Sequence, residues 1–143
     1  MAGICQKLYI KSPEEKKNNR RNMDNTGKRL TLNGISGNQY IFDLYTFDSF
    51  SELNNAFLAR AAVYLFTRRR VTNEGFTHDL VYLGETGDLS TRFDSHHKEQ
   101  CISSHFANCI GIHGVSSSDK DRKSIEADIL AAYDFPCNEQ LNK

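Results

Sequence analysis

The sequence predicts an α+β domain: a small central three-stranded antiparallel sheet flanked by helices, with an added N-terminal β-hairpin. Strand-like apolar runs occur at residues 62–67, 79–85 and 106–115. A short loop joins the first two runs, which favours an antiparallel pair. Helical patterns follow the second and third runs, and this mixture favours α+β over a doubly wound parallel sheet.

The composition predicts one ordinary soluble domain. A chain of 143 residues is long enough for a hydrophobic core. Its formal net charge is +0, so any affinity for nucleic acid must come from local clusters of charge. No run of about 18 apolar residues occurs, so we expect no membrane-spanning segment. Residues 1–10 lack the apolar core of a secretory signal, which favours the cytoplasm.

The cysteines predict free thiols in a reducing cytoplasm, because no two of them have CxxC spacing. The four cysteines are Cys5, Cys101, Cys109 and Cys137. Cysteine and histidine also recur every fourth residue, at Cys101, His105, Cys109 and His113. Four ligands on one straight helical stripe cannot surround an ion, so we do not expect structural zinc from this pattern.

Residues 1–28 are expected to form a flexible basic and polar arm. Residues 12–28 are rich in lysine, arginine, asparagine and glutamate and have little to bury. The basic cluster of this arm consists of Lys16, Lys17, Arg20 and Arg21. The cluster fits either a solvated, mobile segment or an arm that contacts nucleic acid.

Residues 29–59 are expected to form a β-hairpin and a linker that pack on the core. Apolar and polar residues alternate at 29–33, and the glycine-containing sequence at 34–38 supplies a turn. Residues 40–45 carry apolar groups on both faces. Because an isolated hairpin is only marginally stable, this one should pack on the main domain. Residues 47–60 are read as a loop with a short helical turn.

The stretch around Gly84 predicts a strand, a glycine corner and the start of a helix. Gly84 and Gly87 allow a sharp turn, and Thr86 can cap the helix that follows. Arg92 and His96 are four residues apart, so they would share one side of that helix. There they would face the tyrosine of the preceding strand, an arrangement that suits the binding of a phosphate.

The last predicted helix completes a core domain assigned to residues 60–143. Ser118 and Asp121 have the spacing of a capping box at its start. Ile129 belongs to its apolar stripe, and Pro136 prevents its continuation.

Several features of this core occur in order along residues 60–140. They are Ala62-Val63-Tyr64, Tyr82-Leu83-Gly84, Arg92, Glu126 and Asn138. The two tripeptides lie on predicted strands, the glutamate lies on a helix, and the asparagine follows a proline. The ordered set resembles the GIY-YIG nuclease superfamily. It departs from the family pattern at Ala62 and Val63, which replace glycine and isoleucine, and at Leu83, which replaces isoleucine.

The resemblance implies a metal-dependent endonuclease that hydrolyses DNA phosphodiester bonds, with a three-stranded antiparallel sheet flanked by helices. The expected catalytic residues are Tyr64, Tyr82, Arg92, His96 and Glu126, and Gly84 and Asn138 are expected to support the site. Arg92 offers a permanent forked cation for phosphate oxygens. The tyrosine of the first motif is the candidate base. Each of these residues also has a purely structural alternative. Arg92 could form a surface salt bridge with Asp88 or Asp94, and Tyr64 or Tyr82 could be an aromatic residue of the core.

Glu126 is the expected ligand of Mg²⁺ or Mn²⁺. A single protein carboxylate suits Mg²⁺, which keeps most of its waters and takes other ligands from the substrate phosphate. The alternative is a boundary glutamate paired with Arg122 or Lys123.

DNA is the expected partner, and RNA is left open. The expected contacts with the nucleic-acid backbone are Arg68, Arg69, Arg70 and Lys98. The arginine triplet also fits a solvated loop face. Cutting both strands requires dimerisation or repeated nicking, so the oligomeric state is left open as well.

Two other functions fit the same sequence. The first is a non-cleaving nucleic-acid-binding module of the same fold, which the neutral net charge and Ala62 leave open. The second is a protein-interaction domain that uses the aromatic faces of the hairpin at Tyr40, Phe42 and Tyr45.

Overall fold

The computed structural model describes residues 23–24, 27–115 and 118–139. Most of the predicted arm at residues 1–28 lies outside these ranges, as do its basic cluster and Cys5. The strands are β1 (Met23–Asp24), β2 (Arg29–Asn33), β3 (Gln39–Thr46), β4 (Ala62–Thr72), β5 (Gly75–Thr86) and β6 (Cys109–Gly114). The helices are a 3₁₀ turn (Phe50–Leu53), α1 (Leu89–Arg92), α2 (Glu99–Ser104), α3 (Asp119–Leu130) and α4 (Pro136–Glu139).

All six strands belong to one antiparallel sheet, in the spatial order β1-β5-β4-β6-β3-β2. β4 pairs with β5 along its whole length, and with β6 from Ala62 to Thr67. The sheet curls into a half-barrel. None of the helices in the described ranges is long and apolar enough to cross a membrane.

The predicted small three-stranded sheet flanked by helices is wrong. Five long strands and the two-residue β1 form the sheet, and α3 is the one described helix of more than six residues. The hairpin is not an addition, because β3 pairs with β6 from Asp43 opposite Ile112 to Thr46 opposite Cys109. The reason lies in long-range pairing: without β3, β6 would present a row of unpaired backbone groups.

β4 and β5 also extend beyond the predicted strands. Residues 68–70, which were expected to lie in a loop, are inside β4, and Asn73 and Glu74 connect the two strands. Successive residues of a strand face opposite sides, so the arginine triplet is divided between the two faces. The third predicted strand starts at Cys109, and Phe106 before it is exposed.

The sheet buries one apolar cluster on each face. The first cluster contains Tyr64, Phe66 and Tyr82 of the sheet, covered by Phe50, Leu89, Phe93 and Ile102. The second contains Val63, Leu65 and Leu83 of the sheet, together with Leu30, Phe42 and Ile129. Consecutive residues of β4 therefore face opposite clusters, as the pleat of a strand requires.

The N-terminus of α3 confirms the predicted cap, because the Ser118 side chain accepts a hydrogen bond from the Asp121 N–H at 3.2 Å. Further along, Asp128 fastens the β2–β3 turn to the helix. Its carboxylate accepts bonds from Ser36 N (2.9 Å), Ser36 Oγ (2.6 Å) and Tyr40 Oη (2.6 Å). These bonds hold the pKa of Asp128 below its usual range. The turn is therefore tied to residues about ninety positions later in the chain.

Cys101 and Cys137 form a disulfide between α2 and α4, so the prediction of free thiols is wrong for this pair. The two residues are 36 positions apart. Their approach depends on α4 packing against β5, a contact that no local spacing in the sequence reveals. Cys109 is fully buried and takes no part in the disulfide.

A chain that starts at residue 60 should fail to fold. Residues 60–143 lack β2 and β3, so one edge of β6 and the second apolar cluster would be uncovered. We expect no cooperative thermal transition and poor dispersion of the amide NMR spectrum. Residues 23–143, which keep all six strands, are the matched control and should unfold cooperatively. A well-dispersed spectrum from the shorter chain would show instead that residues 60–143 are an independent domain.

Candidate active site

The Tyr64 phenol is the centre of the candidate active site. Tyr64 lies on β4 and is fully buried. Its oxygen is 2.9 Å from Arg92 Nε and 2.7 Å from His96 Nε2. The Tyr82 ring lies beside it, with the two ring centroids 6.2 Å apart. Four of the predicted catalytic side chains are therefore neighbours in the structure.

His96 is a neutral hydrogen-bond donor in this cluster. Its Nδ1 accepts a bond from the Lys98 N–H at 3.0 Å, so the proton of the neutral ring lies on Nε2 and is donated to Tyr64. Burial, followed by the positive charges of Arg92, His97 and Lys98, lowers the pKa of His96 to about 3. The imidazole is therefore uncharged throughout the neutral pH range.

Two donors converge on the Tyr64 oxygen, so its own proton is left for a third partner. Burial raises the pKa of Tyr64 above that of a free phenol, and Tyr82 adds to this effect, whereas Arg92 opposes it. Burial also raises the pKa of Tyr82. Both phenols are therefore protonated at neutral pH, and the Tyr64 hydroxyl can donate one bond while it accepts two.

Gly84 allows the Tyr64 phenol to lie against β5. The two residues are directly opposite each other in the sheet, and a Cβ at residue 84 would stand 2.6 Å from the phenol oxygen. No side chain fits there unless the phenol moves. Gly84 lies inside β5, so the predicted glycine corner is wrong. The glycine is required for close approach rather than for a turn.

Arg92 and His96 do not share one helix, contrary to the prediction. α1 starts after Asp88, whose side chain caps it, so the predicted cap at Thr86 is also wrong. The helix ends at Arg92, and His96 lies in the segment between α1 and α2. The two side chains meet because Phe93, between them in the sequence, is buried in the first cluster and stacks on the imidazole with 6.0 Å between centroids.

Glu126 is a half-buried carboxylate on α3 whose charge acts on this cluster. It raises the pKa values of Tyr64 and Tyr82. Burial, and then the charge of Glu85, raise the pKa of Glu126 itself, whereas the charges of Lys123 and then Arg92 oppose them. Among the residues that the structure describes, none donates a hydrogen bond to the Glu126 carboxylate. The group is therefore an acceptor with unused capacity beside the cluster.

Glu85 is a second carboxylate at the site, and the sequence reasoning did not identify it. Arg122 Nε lies 2.8 Å from Glu85 Oε1, and Lys123 Nζ lies 3.3 Å from Oε2. Burial alone would raise the pKa of Glu85, but these two cations lower it. Arg122 and Lys123, the alternative partners of Glu126, thus both pair with Glu85, and the charge of Lys123 also acts on Glu126. The available signal was an acidic residue directly after the Tyr-Leu-Gly motif.

Asn138 supports the strand that carries Tyr82 and Gly84. Its Oδ1 accepts a bond from the Leu83 N–H at 2.8 Å, and its Nδ2 donates to the Leu83 carbonyl at 2.9 Å. The side chain therefore pairs with the backbone as a neighbouring strand would. Pro136 starts the short helix that carries Asn138, six residues after α3 ends, and so it initiates a helix rather than stopping one.

The predicted DNA contacts lie at separate places. Arg68 and Arg69 stack on aromatic rings, with the guanidinium carbon 5.6 Å and 4.2 Å from the ring centroid, respectively. Arg70 forms an ion pair with Asp79 at 2.9 Å. Lys98 is next to the candidate site, where its backbone N–H donates a hydrogen bond that orients the His96 ring. The triplet therefore does not form one continuous basic face.

Comparisons of the chain with protein-family models, curated proteins and solved structures found no match. The candidate site rests on the geometry of its own side chains.

Replacement of His96 should change how stability depends on pH. The folded state holds this ring neutral down to about pH 3, whereas the unfolded chain takes up a proton near pH 6.5. Stability therefore falls as the pH drops from 6.5 towards 3, by up to about 1.4 kcal/mol per pH unit. His96→Gln lacks this proton, so its urea-unfolding free energy should decline less steeply over that range.

The exposed neighbour provides the control for this measurement. His97→Gln should change the wild-type pH profile in the same direction but less than His96→Gln does, because burial and the charges of Arg92 and Lys98 also lower the pKa of His97, whose side chain is exposed. Parallel profiles for the wild type and His96→Gln would contradict the buried, neutral state of His96.

Proposed function

We propose that the protein is a metal-dependent endonuclease that hydrolyses DNA phosphodiester bonds through a GIY-YIG-type site. One observation carries the proposal: Arg92 and His96 both donate to the single buried phenol of Tyr64, with Tyr82 beside it. Such convergence of a permanent cation and proton-handling groups suits phosphoryl transfer. The proposed location is the cytoplasm.

The residues present fit a hard divalent cation. Glu126 is half-buried, lacks a hydrogen-bond donor among the described residues, and has a raised pKa. A carboxylate in that condition gains from a positively charged partner. Mg²⁺ or Mn²⁺ bound to Glu126 would supply Lewis-acid stabilisation of the charge on the phosphate.

Arg92 is assigned to the phosphate. Burial acts against its charge, but interactions with Tyr64 and Tyr82 raise its pKa on balance, so the guanidinium stays charged. The bond from Nε to the phenol fixes the plane of the guanidinium and uses one of its five N–H groups. The remaining donors can bind non-bridging oxygens and stabilise the charge that develops on them.

Tyr64 is assigned to the attacking water. Because its oxygen already accepts two bonds, its proton is available to a third group, and a water held there would lie beside Arg92. The two donors also stabilise negative charge on the phenol oxygen, which favours its ionisation, whereas burial opposes it. We therefore assign Tyr64 to orienting the attacking water through its hydroxyl proton. As a phenolate, formed by transfer of that proton to solvent water, it would accept the proton of the attacking water.

The raised pKa of Tyr64 is also the observation that favours the second candidate, a non-cleaving nucleic-acid-binding module of the same fold. Incubation of the pure protein with plasmid, branched DNA, single strands and RNA, with and without Mg²⁺ or Mn²⁺, separates the two. Cleavage in the presence of metal supports the enzyme. Binding with no cleavage in either metal supports the module.

Glu126→Gln should reduce Mg²⁺-dependent nicking of a supercoiled plasmid by roughly 100-fold or more, because an amide binds the cation far less well than a carboxylate. The matched control is Glu99→Gln, which removes an exposed carboxylate from α2 and should cut at the wild-type rate. Undiminished nicking by Glu126→Gln would overturn the assignment of Glu126.

The same variant should gain stability at neutral pH. A carboxyl group whose pKa is raised in the folded state makes the protein less stable once the pH exceeds its unfolded pKa. Glu126→Gln lacks this cost, so its metal-free Tm at pH 7.5 should exceed that of the wild type. The difference should disappear below about pH 4, where the carboxyl group is protonated in both states. A lower Tm for the variant at pH 7.5 would contradict the conclusion that the charged Glu126 carboxylate destabilises the fold.

A further inference from the structure

We infer that Cys101, His105 and Cys137 form a Zn²⁺ site when the two cysteines are reduced. The three donor atoms lie within 4.8 Å of one another. None of the three residues belongs to the candidate active site, so this inference stands apart from the proposed nuclease activity. It adds a second metal of different chemistry to the molecule.

The position of the imidazole supports three-fold ligation. His105 Nδ1 lies 3.8 Å from Cys101 Sγ and 3.7 Å from Cys137 Sγ. In a tetrahedral zinc site, Zn–S and Zn–N bonds of the usual lengths place a ring nitrogen about 3.6 Å from each sulfur. The nitrogen is therefore already close to the distances that ligation requires, and nearly equidistant from both sulfurs.

The backbone supplies this arrangement without a continuous helical stripe. Cys101 lies inside α2, and His105 is the residue that follows the helix. The two are four positions apart, so their side chains lie on the same side of α2. Cys137 comes from α4, and its Cα is 5.9 Å from that of Cys101. Ligands from two elements can surround an ion, which four ligands on one stripe cannot do. Cys109, in contrast, lies on β6 and packs in the second apolar cluster.

Replacement of the disulfide by a zinc site takes two steps, reduction and then ligation. Two molecules of a thiol reductant cleave the Cys101–Cys137 disulfide, giving two cysteine thiols and one molecule of reductant disulfide. Zn²⁺ then displaces one proton from each thiol, and two protons are released. His105 Nδ1 lies 3.0 Å from the Cys101 carbonyl, to which an Nδ1 proton is donated in the disulfide form. On ligation the single imidazole proton moves to Nε2, and water fills the fourth position.

The donor set selects zinc over the cation proposed for Glu126. Thiolate and imidazole ligands prefer Zn²⁺, whereas Mg²⁺ prefers oxygen. The ion would join α2, which begins three residues after His96, to α4, which carries Asn138. The zinc site would therefore fix α2 and α4 relative to each other beside the candidate active site, as the disulfide does.

Titration of the reduced, full-length chain with Co²⁺, kept in a phosphine reductant, tests the inference. Tetrahedral Co²⁺ bound to thiolates gives intense ligand-field bands and a sulfur-to-metal charge-transfer band, and both should saturate at one equivalent. Zn²⁺ should abolish them by displacement, whereas excess Mg²⁺ should leave them in place. The readout does not depend on nuclease activity.

Two variants and one control complete the experiment. Cys137→Ser should lose the charge-transfer intensity, and His105→Gln, a change at an exposed residue, should lose the tetrahedral ligand-field bands with its fold intact by circular dichroism. Cys109→Ala is the matched control and should bind as the wild type does. An absence of thiolate–cobalt bands in the reduced wild type would overturn the site, as would full binding by His105→Gln.

Discussion

The structure depends on the position of β4 between β5 and β6. From Ala62 to Thr67, β4 is paired on both sides and buried on both faces, so every polar group that this part of the strand carries must find a partner inside the protein. The Tyr64 hydroxyl is such a group, and leaving it unpaired would cost about 1–3 kcal/mol. Arg92 and His96 meet that need. The requirement that stabilises the centre of the sheet thus also assembles the candidate site.

The two carboxylates near the candidate site differ in whether they have hydrogen-bond donors. Glu85 is satisfied by Arg122 and Lys123, and its pKa is lowered, whereas Glu126 lacks a donor among the described residues and has a raised pKa. Two neighbouring carboxylates are thereby given different properties by their surroundings. The first carboxylate contributes to the fold, and the second carries a cost that binding of a cation would remove.

Local patterns in the sequence were sufficient for the parts of the fold that depend on neighbouring residues. The strand at β6 and the cap at Ser118 follow from local sequence alone and are present in the structure. The sheet as a whole did not follow, because the pairing of β3 with β6 joins segments more than sixty residues apart. The convergence of Arg92 on Tyr64 was expected, but the position of His96 outside the helix depends on the burial of Phe93.

The pairing of Asn138 with Leu83 has a consequence for self-association. The outer edge of β5 is covered by β1 at Phe76 and Thr77, and farther along its backbone groups would be open to a strand from another molecule. Exposed edges of this kind are templates for domain swapping and fibril growth. By taking both the donor and the acceptor of Leu83, the side chain of Asn138 blocks intermolecular strand addition at the part of the edge that lies beside the Tyr64 phenol.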